Sequence, residues 1–264
     1  MPVSYAADIL LGVIEGITEF LPISSTGHLL LAEQWLGHRS DTYNIVIQAG
    51  AIVAVTLIYW QRIIGLLAYR HAPENRDYLI KLGIAFAITA VLGLVVKKLG
   101  FELPSTVQPI AWALVIGGVW MMVAEHFAAK LPDSALVTLR VAIAVGIAQV
   151  VAGVFPGLSR SGTTIFVAML IGTSNRAAAT EFAFLVGIPT MYAASGYELV
   201  KSVGAGGEDW VALGIAFAAS TVTAFVAVKW LLVYIQTHRF TAFAVYRILF
   251  GGLLLGLGAV GMLG

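Results

Sequence analysis

The chain has 264 residues, of which 59% are hydrophobic and 11% charged, and its mean hydropathy is +0.93. Average soluble domains carry about 25% charged residues, so this composition excludes a water-facing globular surface and points to lipid. A net charge of +1 leaves no electrostatic footprint for nucleic acid, and the absence of cysteine excludes disulfides and thiolate chemistry.

Residues 5–36 are apolar but broken in the middle by LPISSTGH (21–28). The opening stretch, residues 1–21, lacks a basic leader and is interrupted by Asp8, Glu15 and Glu19, so it does not read as a cleaved signal peptide. Three unbroken apolar stretches follow near 42–60, 79–96 and 106–124, close to the ~20 residues that a bilayer crossing needs. Residues 138–172 form a second broken region, interrupted by FPGLSRSGTT (155–164). Three more long stretches lie near 182–200, 210–235 and 241–263, with SVGAGGED (202–209) read as a loop. The arms beside each break run about 12–18 residues, short for a crossing. Irregular backbone at membrane depth is tolerated only where protein or a water-filled cavity covers it. Both broken regions are therefore expected to be re-entrant helical hairpins whose tips meet inside the protein. No Walker-type glycine loop occurs, so ATP-driven pumping has no motif to support it.

The two halves match at a fixed offset. Gly12, Glu15 and Pro22 recur 134 residues later as Gly146, Gln149 and Pro156, and Gly117-Gly118 recurs as Gly251-Gly252. The tips align as PISSTG (22–27) and PGLSRSG (156–162) with one residue inserted. Each half then holds one hairpin and three spans, and because three is odd the second half enters from the opposite face. The expected fold is an all-α integral membrane protein, an inverted-topology repeat of about six full spans plus two re-entrant hairpins. It forms a single membrane domain over 1–264, with repeats at 1–130 and 135–264. Such repeats place a site near the midplane between broken helices. One face carries Arg62, Arg70, Arg76, Lys81, Lys130, Arg140, Arg176, Lys229 and Arg239; the other carries only Arg39, Lys97, Lys98 and Lys201. The first face is then cytoplasmic and both termini lie outside.

Glu15 and Glu19, four residues apart, share one helix face. Ionised carboxylates cost about 2.5–3.5 kcal/mol each at the centre of a membrane helix, so the pair needs a partner, a metal or water. Ser24, Ser25, Thr26 and His28 follow directly. Ser25 or Thr26 suits an N-cap, whereas His28, one turn inside, suits an acid, base or nucleophile. At the second tip Arg160 brings a planar fork suited to phosphate or carboxylate. Around it Ser159, Ser161, Thr163, Thr164 and the amides of a helix start compose a phosphate cradle. Arg160 paired with Glu19 or Glu15 is the structural alternative. Gln48, Gln149 and Glu181 read as helix–helix hydrogen-bonding residues, and Arg247 as a side chain that snorkels to the interface.

These motifs resemble a known family. EGITEFLPISSTGH (15–28) and PGLSRSGTT (156–164) are similar to the two signatures of the bacterial undecaprenyl-diphosphate phosphatases, the bacitracin-resistance type. QAGAI (48–52), EFAFL (181–185) and FAVYR (243–247) extend the resemblance over essentially the whole chain. It implies cleavage of a C55 isoprenyl diphosphate to the monophosphate and phosphate, which recycles the lipid carrier of cell-wall synthesis. It also implies a multi-pass protein of the bacterial cytoplasmic (inner) membrane whose site opens to the periplasmic side. A divalent cation, Mg²⁺ or Ca²⁺, is implied as cofactor. Glu15, Glu19, Ser25, His28 and Arg160 match functional positions; Ser24, Thr26, Ser159, Ser161 and Thr164 match supporting ones. Arg160 and the tip amides would grip the diphosphate, and Glu19 with Glu15 would ligate the cation or relay protons. The nucleophile stays open between Ser25 activated by His28, His28 itself, and water. Asn44 departs from the acidic residue of some members, and a cation held there would have to do without it. The partners implied are a polyprenyl diphosphate lipid and the bilayer, with no nucleic acid and with room for a homodimer.

Two other classes compete. A transporter or lipid flippase would share the inverted repeats and broken helices but needs no Ser-His-Arg-Glu set. The acid-phosphatase type of lipid phosphatase shares a superficial likeness at SSTGH but requires a second His after its Ser-Arg element, and none follows Arg160 until His238.

Overall fold

The computed structural model describes residues 5–100, 106–202 and 209–262, so most of the expected 202–209 loop lies outside the described residues. Within them the chain is helical, in eleven elements. These are α1 (Ala6–Thr18), α2 (Ser25–Leu36), α3 (Asp41–Ile58), α4 (Trp60–Ala68), α5 (Pro73–Lys98), α6 (Val107–Ala128), α7 (Leu139–Val154), α8 (Arg160–Ile171), α9 (Arg176–Ser202), α10 (Trp210–Thr237) and α11 (Thr241–Ala259). Helices start where a cap is available. Ser40 accepts from the Tyr43 amide at 3.0 Å, Thr138 from the Val141 amide at 3.3 Å, and Asp209 from the Val211 and Ala212 amides at 3.0 and 3.1 Å. Pro73 opens α5, where its missing N–H costs nothing.

Six helices are long and apolar enough to cross a membrane: α3, α5, α6, α9, α10 and α11. They are the six expected spans, with α5 extended to 73–98 and α9 to 176–202. The amphipathic α4, with Leu66 buried, separates from the end of α3 as an unforeseen short helix. The outward faces of the spans stay apolar: Val91 and Leu94 on α5 are each 60% exposed, as suits contact with lipid.

The broken regions become pairs of short helices. At 1.5 Å per residue, α1 with 13 residues and α8 with 12 are well short of a ~30 Å hydrocarbon core. The chain after α8 returns to the chain before α7. The Asn175 amide donates to the Ser134 carbonyl at 2.9 Å, and Thr173 Oγ1 donates to the Leu136 carbonyl at 2.9 Å. At the other pair Arg39, just past α2, reaches back to Asp8 in α1 at 3.1 Å.

Each short N-terminal arm packs against a span of the other half, α1 on α10 and α7 on α5. Gly12 and Gly146 permit it. A Cβ at Gly12 would stand 2.3 Å from the Ala216 carbonyl oxygen, and one at Gly146 would stand 2.7 Å from that of Ala85. The largest buried apolar cluster includes Phe20, Leu21 and Ile23 at the first break, with Phe166, Phe182, Phe184 and Phe240.

Candidate active site

Among the described residues, two non-glycine positions have left-handed φ, and both head the second helix of a broken region. Ser24 sits at φ 69°, ψ 104° before α2, and Ser159 at φ 66°, ψ 111° before α8. Such backbone costs of order 1–3 kcal/mol and clusters at functional sites. The two turns aim the starts of α2 and α8 at a shared cavity of about 380 Å³. Its lining includes Glu19, Ser24, Ser25, Thr26, Ser159 and Arg160.

Glu19 organises this cavity. Its Oε2 accepts from Ser25 Oγ at 2.5 Å. Its Oε1 accepts from Arg160 Nη2 and, at 3.3 Å, from Gln48 Nε2. One carboxylate thus joins a hydroxyl of the first half to a guanidinium of the second, 141 residues away. The carboxylate is 8% exposed, where a charge-assisted hydrogen bond is strong and an unpaired charge costly. Arg160 retains donors with no protein acceptor among the described residues, available to an anion in the cavity.

The other expected residues are placed less uniformly. His28 turns away from Ser25: its Nδ1 donates to the Ser24 carbonyl at 2.7 Å, and its Nε2 shares a 2.7 Å hydrogen bond with the Tyr246 hydroxyl. A carbonyl only accepts, so the Nδ1 proton is fixed by its partner. The ring stacks on Phe250 at 4.3 Å and does not line the shared cavity. Ser25 accordingly has a carboxylate, not an imidazole, as its hydrogen-bond acceptor. In the cradle, Ser159 Oγ caps α8 by accepting from the Gly162 amide at 3.3 Å. Ser161 donates to the Leu21 carbonyl at 3.2 Å, and Thr164 to the Arg160 and Ser161 carbonyls at 2.8 and 3.1 Å. Ser161 and Thr164 therefore hold the tip together from behind and do not line the cavity.

A divalent cation, implied by the sequence resemblance, needs oxygen ligands that are not already committed. Both oxygens of Glu19 are taken by Ser25, Arg160 and Gln48. Glu15, 1% exposed, has a buried Oε2 with no partner. The donor set thus fits at Glu15 and not at Glu19. Among the described residues no three His, Asp or Glu side chains converge, so amide, water or substrate oxygens would complete the shell.

Three residues gain weight over their sequence reading. Gln48 holds Glu19. Gln149 donates to Thr89 Oγ1 at 2.9 Å and borders the cavity, with its buried Oε1 unpartnered. The expectation that Arg247 snorkels to the interface is wrong: the side chain is completely buried. Its guanidinium donates to the carbonyls of Gly157 and Leu158 at 2.8 Å each, and to Pro22 at 3.4 Å. Ala113 and Leu114 of α6 supply two more carbonyl acceptors, at 3.3 and 3.4 Å. Arg247 is the clamp that holds both breaks together. A Cβ at Gly117 would stand 2.1 Å from its Nη2, and one at Gly118 would stand 2.8 Å from the Ala244 carbonyl oxygen, so the Gly-Gly pair lets α11 and its guanidinium close on α6. Its signals in the sequence were an Arg six residues past the start of an apolar stretch, which snorkelling explained equally well, and its place at the end of FAVYR (243–247).

The chain is similar to known proteins over nearly its whole length. The family model of the bacitracin resistance protein BacA matches residues 8–253. A protein of Rhizobium etli named undecaprenyl-diphosphatase is 71% identical over 257 residues, covering 96% of this chain and 97% of the relative. One of Xanthomonas euvesicatoria with the same name is 64% identical over 250 residues, covering 94% of each. The two signatures, the six spans and a match over nearly the full length lead to one conclusion: the chain belongs to the BacA bacitracin-resistance family.

Proposed function

We propose that the protein is an integral membrane phosphatase that hydrolyses undecaprenyl diphosphate to undecaprenyl phosphate and inorganic phosphate, as its relatives' names indicate. The observation that carries the reading is the Ser25–Glu19–Arg160 constellation at the meeting of the two breaks. Phosphoryl transfer calls for charge neutralisation and in-line positioning, and the cavity offers a nucleophile, a base and a cation within one hydrogen-bonded set. Arg160 leaves Glu19 for the diphosphate oxygens, aided by the amides at the start of α8. Ser25 Oγ attacks the terminal phosphorus while its proton passes to Glu19 Oε2. The bond to the bridging oxygen breaks and the lipid monophosphate departs, taking the proton back from Glu19. Water then gives a proton to the freed Glu19 carboxylate and attacks the phosphoserine; the bond between phosphorus and Ser25 Oγ breaks, and Glu19 returns that proton to Ser25 as phosphate leaves. A divalent cation held at Glu15 would neutralise charge on the phosphates. His28 serves by fixing α2 against α11.

The two helix pairs are re-entrant arms of an inverted repeat divided at 1–130 and 135–264. The matched Ser24 and Ser159 turns and the exchanged packing of α1 and α7 support this reading. The site faces the periplasmic side of the inner membrane, a reading supported by the excess of Lys and Arg on the opposite face. The polyprenyl tail leaves along Ala152, Met191 and Ala194, the apolar side of the cavity, toward lipid.

Phosphate release from C55 diphosphate in detergent tests the reading. Wild type is expected to release phosphate, and Ser25→Ala and Glu19→Gln to lose about 10³-fold or more while remaining folded. Movement of the lipid between leaflets without phosphate release would replace the enzyme with a carrier.

A further inference from the structure

The side of the cavity formed by α5, α7 and α9 carries a polar atom with no role so far. Gln149 of α7 lines the cavity and is 4% exposed. Its Nε2 donates to Thr89 Oγ1 of α5 at 2.9 Å. Thr89 has one hydroxyl proton, and its other neighbours are carbonyl oxygens, of Ala85 at 2.9 Å and Gly146 at 3.0 Å. The proton belongs to a carbonyl, so toward Gln149 the hydroxyl only accepts. That fixes the amide, with its nitrogen on Thr89 and its oxygen turned away. This Oε1 is buried without a partner. Buried polar atoms are paired in the great majority of cases. An unpaired acceptor on a cavity wall therefore calls for a donor that arrives in the cavity.

A diphosphate offers acceptor oxygens, which suit Arg160 and not an amide oxygen. Water is a donor, and release of phosphate from Ser25 requires one. Its place follows from the departure of the lipid. Nucleophile and leaving group lie in line across phosphorus, so the water enters where the lipid's bridging oxygen left. The lipid leaves along Ala152, Met191 and Ala194. Gln149, Ala152, Gly153 and Pro156 follow one face of α7 and all line the cavity. The unpaired oxygen thus stands beside the vacated position.

We propose that Gln149 positions the water that hydrolyses the phosphoserine. Oε1 accepts one proton of that water while the other passes to Glu19. The water oxygen bonds to phosphorus, the bond to Ser25 Oγ breaks, and Glu19 returns the proton to Ser25. The proposal rests on the phosphatase reading and its phosphoserine, and it divides the two steps between residues. Ser25 and Arg160 serve transfer to the protein, whereas Gln149 serves only the release.

Rapid-quench kinetics of the purified full chain in detergent test this, with C55 diphosphate labelled in its terminal phosphate. In Gln149→Leu the first turnover is expected to stay fast and the second step to slow about 10²-fold. The chain then accumulates about one acid-stable label on Ser25. Both kcat and KM fall together, leaving kcat/KM at the wild-type value, which damage to the fold would not do. Thr89→Val frees the amide to turn and should slow release about tenfold, with partial label. Gln149→Glu keeps an acceptor and should hold kcat within about fivefold of wild type, without label. A wild-type kcat in Gln149→Leu, or a loss of kcat/KM with no label, would overturn the role of Gln149 and leave the phosphatase standing. Undiminished release in Ser25→Ala would overturn the phosphoserine beneath it, and no release by wild type would remove the phosphatase reading itself.

Discussion

The breaks at 21–25 and 156–160 lead into their second helices in the same way. Ser24 and Ser159 share a left-handed φ within a few degrees, 69° and 66°, and each precedes a helix of 12 residues. The side chains they present are opposite in kind. The first break brings a carboxylate and a hydroxyl to the cavity; the second brings a guanidinium. The same holds one helix earlier, where Glu15 and Gln149 occupy matching places and each ends in a buried oxygen without a partner. The two breaks share a backbone turn and divide the charges, so the two tips complement one another across a single site.

The comparison can be broken most severely at the shared clamp. Arg247→Met leaves the carbonyls of Gly157 and Leu158 without their donors, at about 1–3 kcal/mol each. A drop of about 10 °C in the detergent melting temperature is expected. Next is the charge of the second tip. Arg160→Lys keeps the charge but loses the planar fork, and phosphate release should fall about 10²- to 10³-fold. An unchanged rate would remove Arg160 from the phosphate grip. A smaller effect comes from making the halves alike: Gln149→Glu places a second anion on the cavity wall and should raise KM about tenfold, the equivalent of ~1.4 kcal/mol, while Gln149→Leu should not. Smallest is Tyr246→Phe, which removes the hydroxyl from His28. It should change kcat by less than about fivefold, the scale of one neutral hydrogen bond. A loss as large as that of Ser25→Ala would return His28 to the proton path.

The spans and breaks were legible because length and hydropathy decide them: α5, α6, α10 and α11 begin or end within a few residues of the apolar stretches. Glu19 and Arg160 were also legible, since a carboxylate and a guanidinium in apolar surroundings must find partners, and they find each other. What the sequence did not convey is direction. His28 and Ser25 lie three residues apart on one helix, yet α11 captures the ring by stacking and hydrogen bonding. Ser161 and Thr164 are hydroxyls beside an arginine, and only the third dimension shows them spent on carbonyls. Asn44 read as an acid missing from its place; in the fold it holds the carboxylate of Glu33, from a helix whose register no local pattern specifies. Arg247 could reach either water or the interior, and the choice depends on carbonyls contributed by three distant segments.

That last dependence bears on how the protein is made. The carbonyls of Pro22, Gly157 and Leu158 lie in the breaks, outside any helix, in segments synthesised well before residue 247, and their Arg247 donor arrives only with the final helix. Until α11 has inserted, the nascent chain carries unsatisfied backbone acceptors at bilayer depth, each costing several kcal/mol in hydrocarbon. The last helix is therefore the step that converts a strained insertion intermediate into a stable protein. A polypeptide released before it exposes the kind of defect that membrane proteases degrade.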